Sequence, residues 1–308
     1  MAEAGPPAVS VLIVSHNKAP SLRRCLESVE RSTNRENIEI VVVDNGSGDG
    51  TSQIGSEFPN LRLLRLPRNF GLTKALNIGI RASSGEFVLF LKPEAEVFPD
   101  TVSALAGRLE AEPEAVAVCP LLIDAGGEPA TRVYRLPTPN SIYLAWRLDG
   151  FRETVPVDPA AESLAVEYPI LDAFMIRGYF LKGMRYLDER YGQFWADAEL
   201  CFQIRRASKK ILLLPGIRAV DHSDKSRPAP LEPAARALLS ADCALGAVAY
   251  VGKHYGFAAG LKLRLAACLR CLASAVLALV SLRDPGYHFA RLNFLLNGQK
   301  IDGSQRQL

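Results

Sequence analysis

Four short runs of branched and aromatic apolar residues punctuate the first ninety positions, and a helical repeat follows each of them. Residues 9–15 and 38–43 are short apolar runs rich in Val and Ile and read as buried strands. Residues 61–66 and 86–91 read as a third and a fourth strand. Residues 21–31 place Leu22, Cys25, Leu26 and Val29 at helical spacing behind Pro20, and residues 51–58 read as a second helix. Residues 72–82 put Leu72, Ala75, Leu76, Gly79 and Ile80 on one side, which again is a helix pattern. Strands alternating with helices predict an α/β domain with a mostly parallel central sheet flanked by helices. Such sheets bind ligands beyond the carboxyl ends of their strands. Asp44 and the segment after Leu91 fall there.

Beyond this half the pattern predicts a helix over 101–111 and a strand over 116–122. Residues 136–168 are proline-interrupted and read as an irregular segment that shapes an acceptor site. A helix over 198–207, a strand over 211–214 and an extended piece over 219–222 follow. The expected organisation is a tail at 1–8, a domain at 9–225 with halves at 9–122 and 123–225, and a helical extension at 226–308. The extension holds Ala/Leu-rich helices at 233–255 and 258–282. The apolar core of the second, 271–282, is too short to span a bilayer, and Lys262, Arg264 and Arg270 interrupt the text before it. Two readings stay open. The helix packs on the domain or on a second copy of the chain, or it lies on an anionic membrane surface.

Composition excludes some classes. The 308 residues carry 36 basic and 33 acidic side chains, a net +3, which does not call for nucleic acid as a partner. The six cysteines include one C-x-x-C, Cys268 and Cys271, with no second pair at zinc-site spacing. They read as reduced core residues of a cytoplasmic protein. Residues 1–8 lack the pattern of a secretory leader. There is no G-x-G-x-x-G at the first strand–helix turn and no G-x-x-x-x-G-K-[ST], so dinucleotide and P-loop readings lose their support.

Three clusters could carry chemistry. Asp44 ends the second strand, where a carboxylate can accept hydrogen bonds from a base or ribose. The glycine-rich turn behind it, 45–51, reads equally as a plain loop in which Asp49 caps the next helix. Lys92-Pro-Glu-Ala-Glu96 offers carboxylates for Mg²⁺ or Mn²⁺, or a solvated turn. In Phe194-Trp-Ala-Asp-Ala-Glu-Leu200, Asp197 is a helix cap or a general base desolvated by its aromatic neighbour. His222 is a further ligand or a structural histidine.

The order of these segments carries more than any one of them. Val9-Ser-Val-Leu-Ile-Val-Ser-His-Asn17, Val41-Val-Val-Asp-Asn-Gly-Ser-Gly-Asp-Gly-Thr51, Asn69-Phe-Gly-Leu-Thr-Lys-Ala-Leu-Asn-Ile-Gly79 and Ala82-Ser-Ser-Gly-Glu-Phe-Val-Leu-Phe-Leu91 resemble the family-2 glycosyltransferases. Leu187-Asp-Glu-Arg190, Asp197-Ala-Glu-Leu-Cys201 and residues 215–222 resemble the acceptor half of its rhamnosyltransferase-like members. The resemblance implies a GT-A fold and an inverting transfer of a sugar from a UDP- or dTDP-linked donor to an acceptor hydroxyl of a polysaccharide or glycolipid. It implies that Ser15, Asn17, Asp44, Asn45 and Lys74 contact the nucleotide. It implies that Glu94, with His222, holds Mg²⁺ or Mn²⁺ and that Asp197 is the catalytic base, and beside Glu94 we expect Glu96 to be an exposed neighbour. Three positions depart from the family pattern: Lys92-Pro93-Glu94 where Asp is usual, Ala196 where an acid precedes the base, and Asp172 where Gly is common. They support an alternative, a catalytically impaired binding or scaffold module.

Overall fold

The structure, a computed structural model, describes residues 8–144, 154–223 and 231–301. Its first half is built as the periodicity predicts. β1 (Val9–Ser15), β2 (Ile38–Asp44), β3 (Leu61–Arg65) and β4 (Phe87–Leu91) are parallel, in the spatial order β3-β2-β1-β4. Ser15 stands opposite Asp44, and Asp44 opposite Arg65, so these strands end at one level. The chain steps from β1 outward to β2, whereas β4 lies on the other side of β1. That reversal opens a crevice at the carboxyl ends of β1, β2 and β4.

Helices cover both faces. On one, α1 (Ala19–Glu30) buries Leu22, Cys25, Leu26 and Val29, and joins α4 (Thr101–Ala111) over Val11, Ile13 and Ile40. The short α2 (Ile54–Glu57) sits beside β3. On the other, α3 (Leu72–Ala82) packs over Leu12, Val41 and Val43. β5 (Ala95–Val97) and β6 (Ala115–Ile123) continue the sheet. A separate small sheet is made of β7 (Val133–Tyr134), β8 (Thr154–Val155) and β10 (Tyr168–Pro169), with α5 (Pro139–Leu144) following β7 and β9 (Leu164–Ala165) preceding β10. The region read as irregular is thus short-stranded where it is described.

The sheet is mixed rather than purely parallel. β11 (Ala173–Arg177) runs antiparallel between β4 and β6, pairing Ala173 with Leu91. Five residues after a proline-rich stretch carry no usable periodicity, and the pattern does not predict this strand. After α6 (Gly178–Gly183) and α7 (Ala196–Arg206), the two extended pieces expected at 211–214 and 219–222 prove to be one bulged strand, β12 (Lys210–Asp221).

The described residues of the C-terminal part form three helices: α8 (Pro233–Tyr255), α9 (Phe257–Val280) and α10 (Gly286–Asn297). Ala241, Ala244, Tyr250, Leu263, Ala267, Cys271 and Leu295 join the core that holds α3 and α7. The extension therefore completes the domain's core rather than hanging from it. The expectation of an apolar stretch too short for a bilayer is corrected. At about 1.5 Å per residue α9 reaches the roughly 30 Å of a hydrocarbon core, and both α8 and α9 are long and apolar enough by length and composition. Their surroundings differ, because 61% of the apolar stretch of α8 is buried in the protein and only 22% of that of α9.

Candidate active site

The loops after β1 and β2 brace one another. Asn17, with a left-handed φ of 53°, accepts at Oδ1 from Gly48 N (2.8 Å), and its own N–H donates to Ser47 Oγ (3.0 Å). Asp44 is 2% exposed and accepts from Ser47 N (2.9 Å). Asp49 accepts from Ala19 N and Thr51 N, both 2.9 Å, the capping role open from the sequence. Gly46 has φ +74°, and a Cβ there would lie 2.3 Å from the Arg68 carbonyl carbon, so only glycine lets the loop after β2 approach the loop after β3. Asn45 accepts from Phe70 N (2.9 Å), and its Nδ2 donates to Asn69 Oδ1 (3.0 Å).

This bracing sorts the residues expected to meet a nucleotide. Asn45 lines a cavity of about 690 Å³ at the strand ends, together with His16, Lys18 and Asn69. Ser15, Asn17, Asp44 and Lys74 do not line it. Ser15 is fully buried, with no hydrogen-bond partner for Oγ among the described residues, and the Lys74 ammonium stands 4.6 Å from the centre of the Phe70 ring. His16 was not singled out by the sequence, although it sits in the first loop, where its Nδ1 meets Asn45 O at 3.0 Å.

Lys92, Glu94, Asp172 and Asp197 line the same cavity. The antiparallel register that pairs Leu91 with Ala173 carries Lys92 to Asp172, the next pair along: Lys92 N donates to Asp172 O (2.8 Å), and Lys92 Nζ to Asp172 Oδ2 (2.9 Å). Lys92 Nζ also lies 2.8 Å from Asp221 Oδ1. Burial works against the lysine's charge, but Asp172 and Asp221 outweigh it and raise its pKa. Burial likewise opposes ionisation of Asp221, and the hydrogen bonds from Lys92 and Ser223 overcome it and hold that carboxyl below its usual range. Two of the departures from the family pattern, Lys92 and Asp172, are thus halves of one ion pair. Glu94 is held by the Lys18 ammonium. Glu96 is not an exposed neighbour: its side chain is 31% exposed and faces His222 Nε2 at 2.8 Å and Arg31 at 3.5 Å.

Asp197 occupies the first turn of α7, where it accepts from Ala198 N (2.9 Å). The cap position belongs to Trp195, which is left-handed at φ 78°, a costly conformation for a bulky residue. Trp195 is held by Tyr250 of α8, with ring centroids 5.4 Å apart, and Gly246 leaves room for its indole. Glu199 points away into a buried hub, taking hydrogen bonds from Tyr191, Gln203, Lys253 and His254 at 2.6–2.9 Å. It is a fastener between α7 and the end of α8.

Residues 10–159 match the family described as Glycosyl transferase family 2. This chain carries a glycosyl transferase family 2 domain. Among curated proteins it is similar to an N-acetylglucosaminyltransferase of Sinorhizobium fredii, 34% identical over 110 residues, covering 34% of this chain and 27% of the relative. It is also similar to the N-acetylglucosaminyl-diphospho-decaprenol L-rhamnosyltransferase of Mycobacterium tuberculosis, 30% identical over 140 residues, covering 42% and 45%. The match therefore spans less than half of either relative. Among solved structures the fold is similar to that of the mannosyltransferase PcManGT from Pyrobaculum calidifontis, in complex with GDP-Man and Mn²⁺. The TM-score is 0.56 at 18% identity, covering 96% of this chain and 88% of the other. The glycosyl transferase domain has the GT-A fold, and its candidate site lies at the crevice of that fold.

The candidate ligands Glu94 and His222 do not fit a divalent cation as they are arranged. Glu94 and His222 meet only through the backbone, His222 N donating to Glu94 O at 2.9 Å. Their side chains are engaged by Lys18 and Glu96. Among the described residues no three His, Cys, Asp or Glu side chains converge as a hard cation needs.

Proposed function

We propose that this chain is an inverting glycosyltransferase, moving a sugar from a UDP- or dTDP-linked donor to an acceptor hydroxyl of a cell-surface polysaccharide or glycolipid. One observation carries the reading. Asp197 lines the same cavity as Asn45 and Lys18, so its carboxylate shares that space with the strand-end loops that would hold a nucleotide. Asp197 would take the proton of the acceptor hydroxyl as its oxygen attacks the anomeric carbon from the face opposite the leaving diphosphate. Asn45 would meet the nucleotide directly. Ser15, Asn17 and Asp44 would act by fixing the loops, and Lys74 by holding Phe70. Lys18, 48% exposed, is placed to turn from Glu94 toward the diphosphate and offset its charge. Mg²⁺ or Mn²⁺ would require Glu94 to be freed in the same movement.

A second reading, a binding or scaffold module that has lost turnover, is favoured by Lys92 being committed to two aspartates. One experiment separates the two. UDP-, dTDP- and GDP-sugars are supplied with and without Mn²⁺, and nucleotide diphosphate release and thermal shift are read together. Release that falls about a hundredfold to ten-thousandfold in Asp197→Asn, with donor affinity and melting temperature retained, supports catalysis. Donor binding without release from any sugar supports the scaffold. Wild-type turnover in Asp197→Asn removes the base assignment, because Asn cannot take the proton of the acceptor hydroxyl.

The setting proposed is cytoplasmic, with peripheral contact at the membrane through α9. The buried stripe of that helix is small (Gly260, Ala267, Cys271, Ala275, Ala278, with Leu263), whereas Leu265, Leu269, Leu277 and Val280 are exposed. A helix that turns its larger apolar side chains outward is built to be covered. The charges on α9 are Lys262, Arg264 and Arg270, all basic, which suits an anionic lipid surface.

A further inference from the structure

A second cavity of about 510 Å³ opens beside the first. The two share Arg132, Tyr134, Phe194 and Leu239 in their walls. Its outer wall is one face of α8, Arg236, Leu239, Ser240 and Cys243 at i, i+3, i+4 and i+7, closed by Tyr287 of α10. Tyr168 and Trp195 complete an aromatic lining.

The charge of this cavity differs from that of its neighbour. In the first, Lys18 and Lys92 are neutralised by Glu94, Asp172 and Asp221. Among the described residues that line the second, Arg132 and Arg236 are the charged ones, with Arg132 standing in the wall shared with the first. Both are exposed, and neither side chain makes an ion pair or hydrogen bond among the described residues. Two uncompensated guanidinium groups in an aromatic-walled hollow are suited to a phosphoryl group, which accepts planar, bidentate hydrogen bonds from arginine. The walls between them offer an apolar surface to whatever the phosphate is attached to.

We infer that this cavity is an acceptor subsite for a phosphate or diphosphate ester, gripped by Arg132 and Arg236 while the acceptor's hydroxyl reaches Asp197 through the shared wall. The inference rests on the transferase reading and names the chemical class of its acceptor. The same phosphoryl chemistry could come from a lipid-linked diphosphate or from a soluble phosphorylated saccharide. The apolar lining suits the first.

The test uses the full chain with UDP saturating, so that the donor side is filled. Geranyl diphosphate, inorganic pyrophosphate and geraniol are then titrated by calorimetry. Geranyl diphosphate is expected to bind in addition to UDP and geraniol not to bind. Arg236→Gln and Arg132→Gln should each weaken the diphosphate about tenfold or more, the scale of one lost charged hydrogen bond, with the circular dichroism spectrum unchanged in both and UDP affinity unchanged in Arg236→Gln, whose side chain lies outside the first cavity. Pyrophosphate binding as tightly as geranyl diphosphate, and as dependent on Arg236, upholds the anion subsite and assigns it to a soluble acceptor. Absence of any binding beyond UDP, or binding that both substitutions leave intact, overturns the inference. Failure of UDP itself to bind counts against the transferase reading and leaves the arginine-dependent binding of the probes to be read alone.

Discussion

The indole of Trp195 packs on the ring of Tyr250, centroids 5.4 Å apart, so the residue that starts the helix of Asp197 is fixed by a helix of the C-terminal extension. Gly246 makes this possible. A Cβ there would lie 2.6 Å from Trp195 Cδ1, and a rigid indole in a packed core has little room to yield. Gly246→Ala is expected to cost about 1–3 kcal/mol in chemical denaturation. Turnover should fall by more than the unfolded fraction accounts for, because displacing Trp195 tilts the first turn of α7. Full specific activity in the folded variant would show that Asp197 is positioned without Trp195.

Lys92 binds two carboxylates of unequal burial: the Asp221 side chain is 2% exposed and that of Asp172 30%. Lys92→Met takes the cation from the buried Asp221 carboxylate and is expected to destabilise the fold by about 3–5 kcal/mol. Asp172→Asn leaves the Lys92–Asp221 pair in place and should cost about 1 kcal/mol or less. Denaturation midpoints of the two variants check this, and equal losses would contradict the asymmetry.

The hub that fastens α7 to α8 titrates in acid. Burial opposes the charge of Glu199, yet hydrogen bonds from Lys253, Gln203 and His254 hold its pKa below the ordinary value. For Asp188, burial is outweighed in the same way by Arg190 and Lys253. A carboxyl whose folded pKa lies below its unfolded value, about 4, adds stability above that pH and loses it as pH falls through the folded value. The melting temperature is therefore expected to hold between about pH 5 and 7 and to drop below about pH 4. Lys253→Met should move the acid transition to higher pH. An unchanged transition in that variant would show that the hub does not govern acid stability.

The outward face of α9 predicts sedimentation with vesicles containing phosphatidylglycerol, and less with phosphatidylcholine alone. Salt at about 0.5 M should weaken the association without abolishing it, since screening removes the charge contribution and leaves the apolar one. Leu265→Glu with Leu269→Glu should remove it. A lipid-free dimer abolished by the same pair would instead assign the face to a second copy of the chain.

The sequence by itself determined the parallel half of the fold. Strand and helix periodicities are local properties, and α3, α4 and α8 lie at the residues the periodicity marks. It also singled out Asn45, Lys92, Glu94, Asp172 and Asp197, which the folded chain gathers around one cavity. Only the tertiary structure decided what each of them meets. Lys92 and Asp172 look like two unrelated departures 80 positions apart until the antiparallel entry of β11 pairs them. Asp44 has the position of a ligand-binding acid, yet the loop it closes buries it. Arg132 and Arg236 carry no local signal, since a lone arginine in a loop or a helix is ordinary. That they line one cavity depends on α8 lying against the acceptor half, a juxtaposition of segments a hundred residues apart that no periodicity encodes.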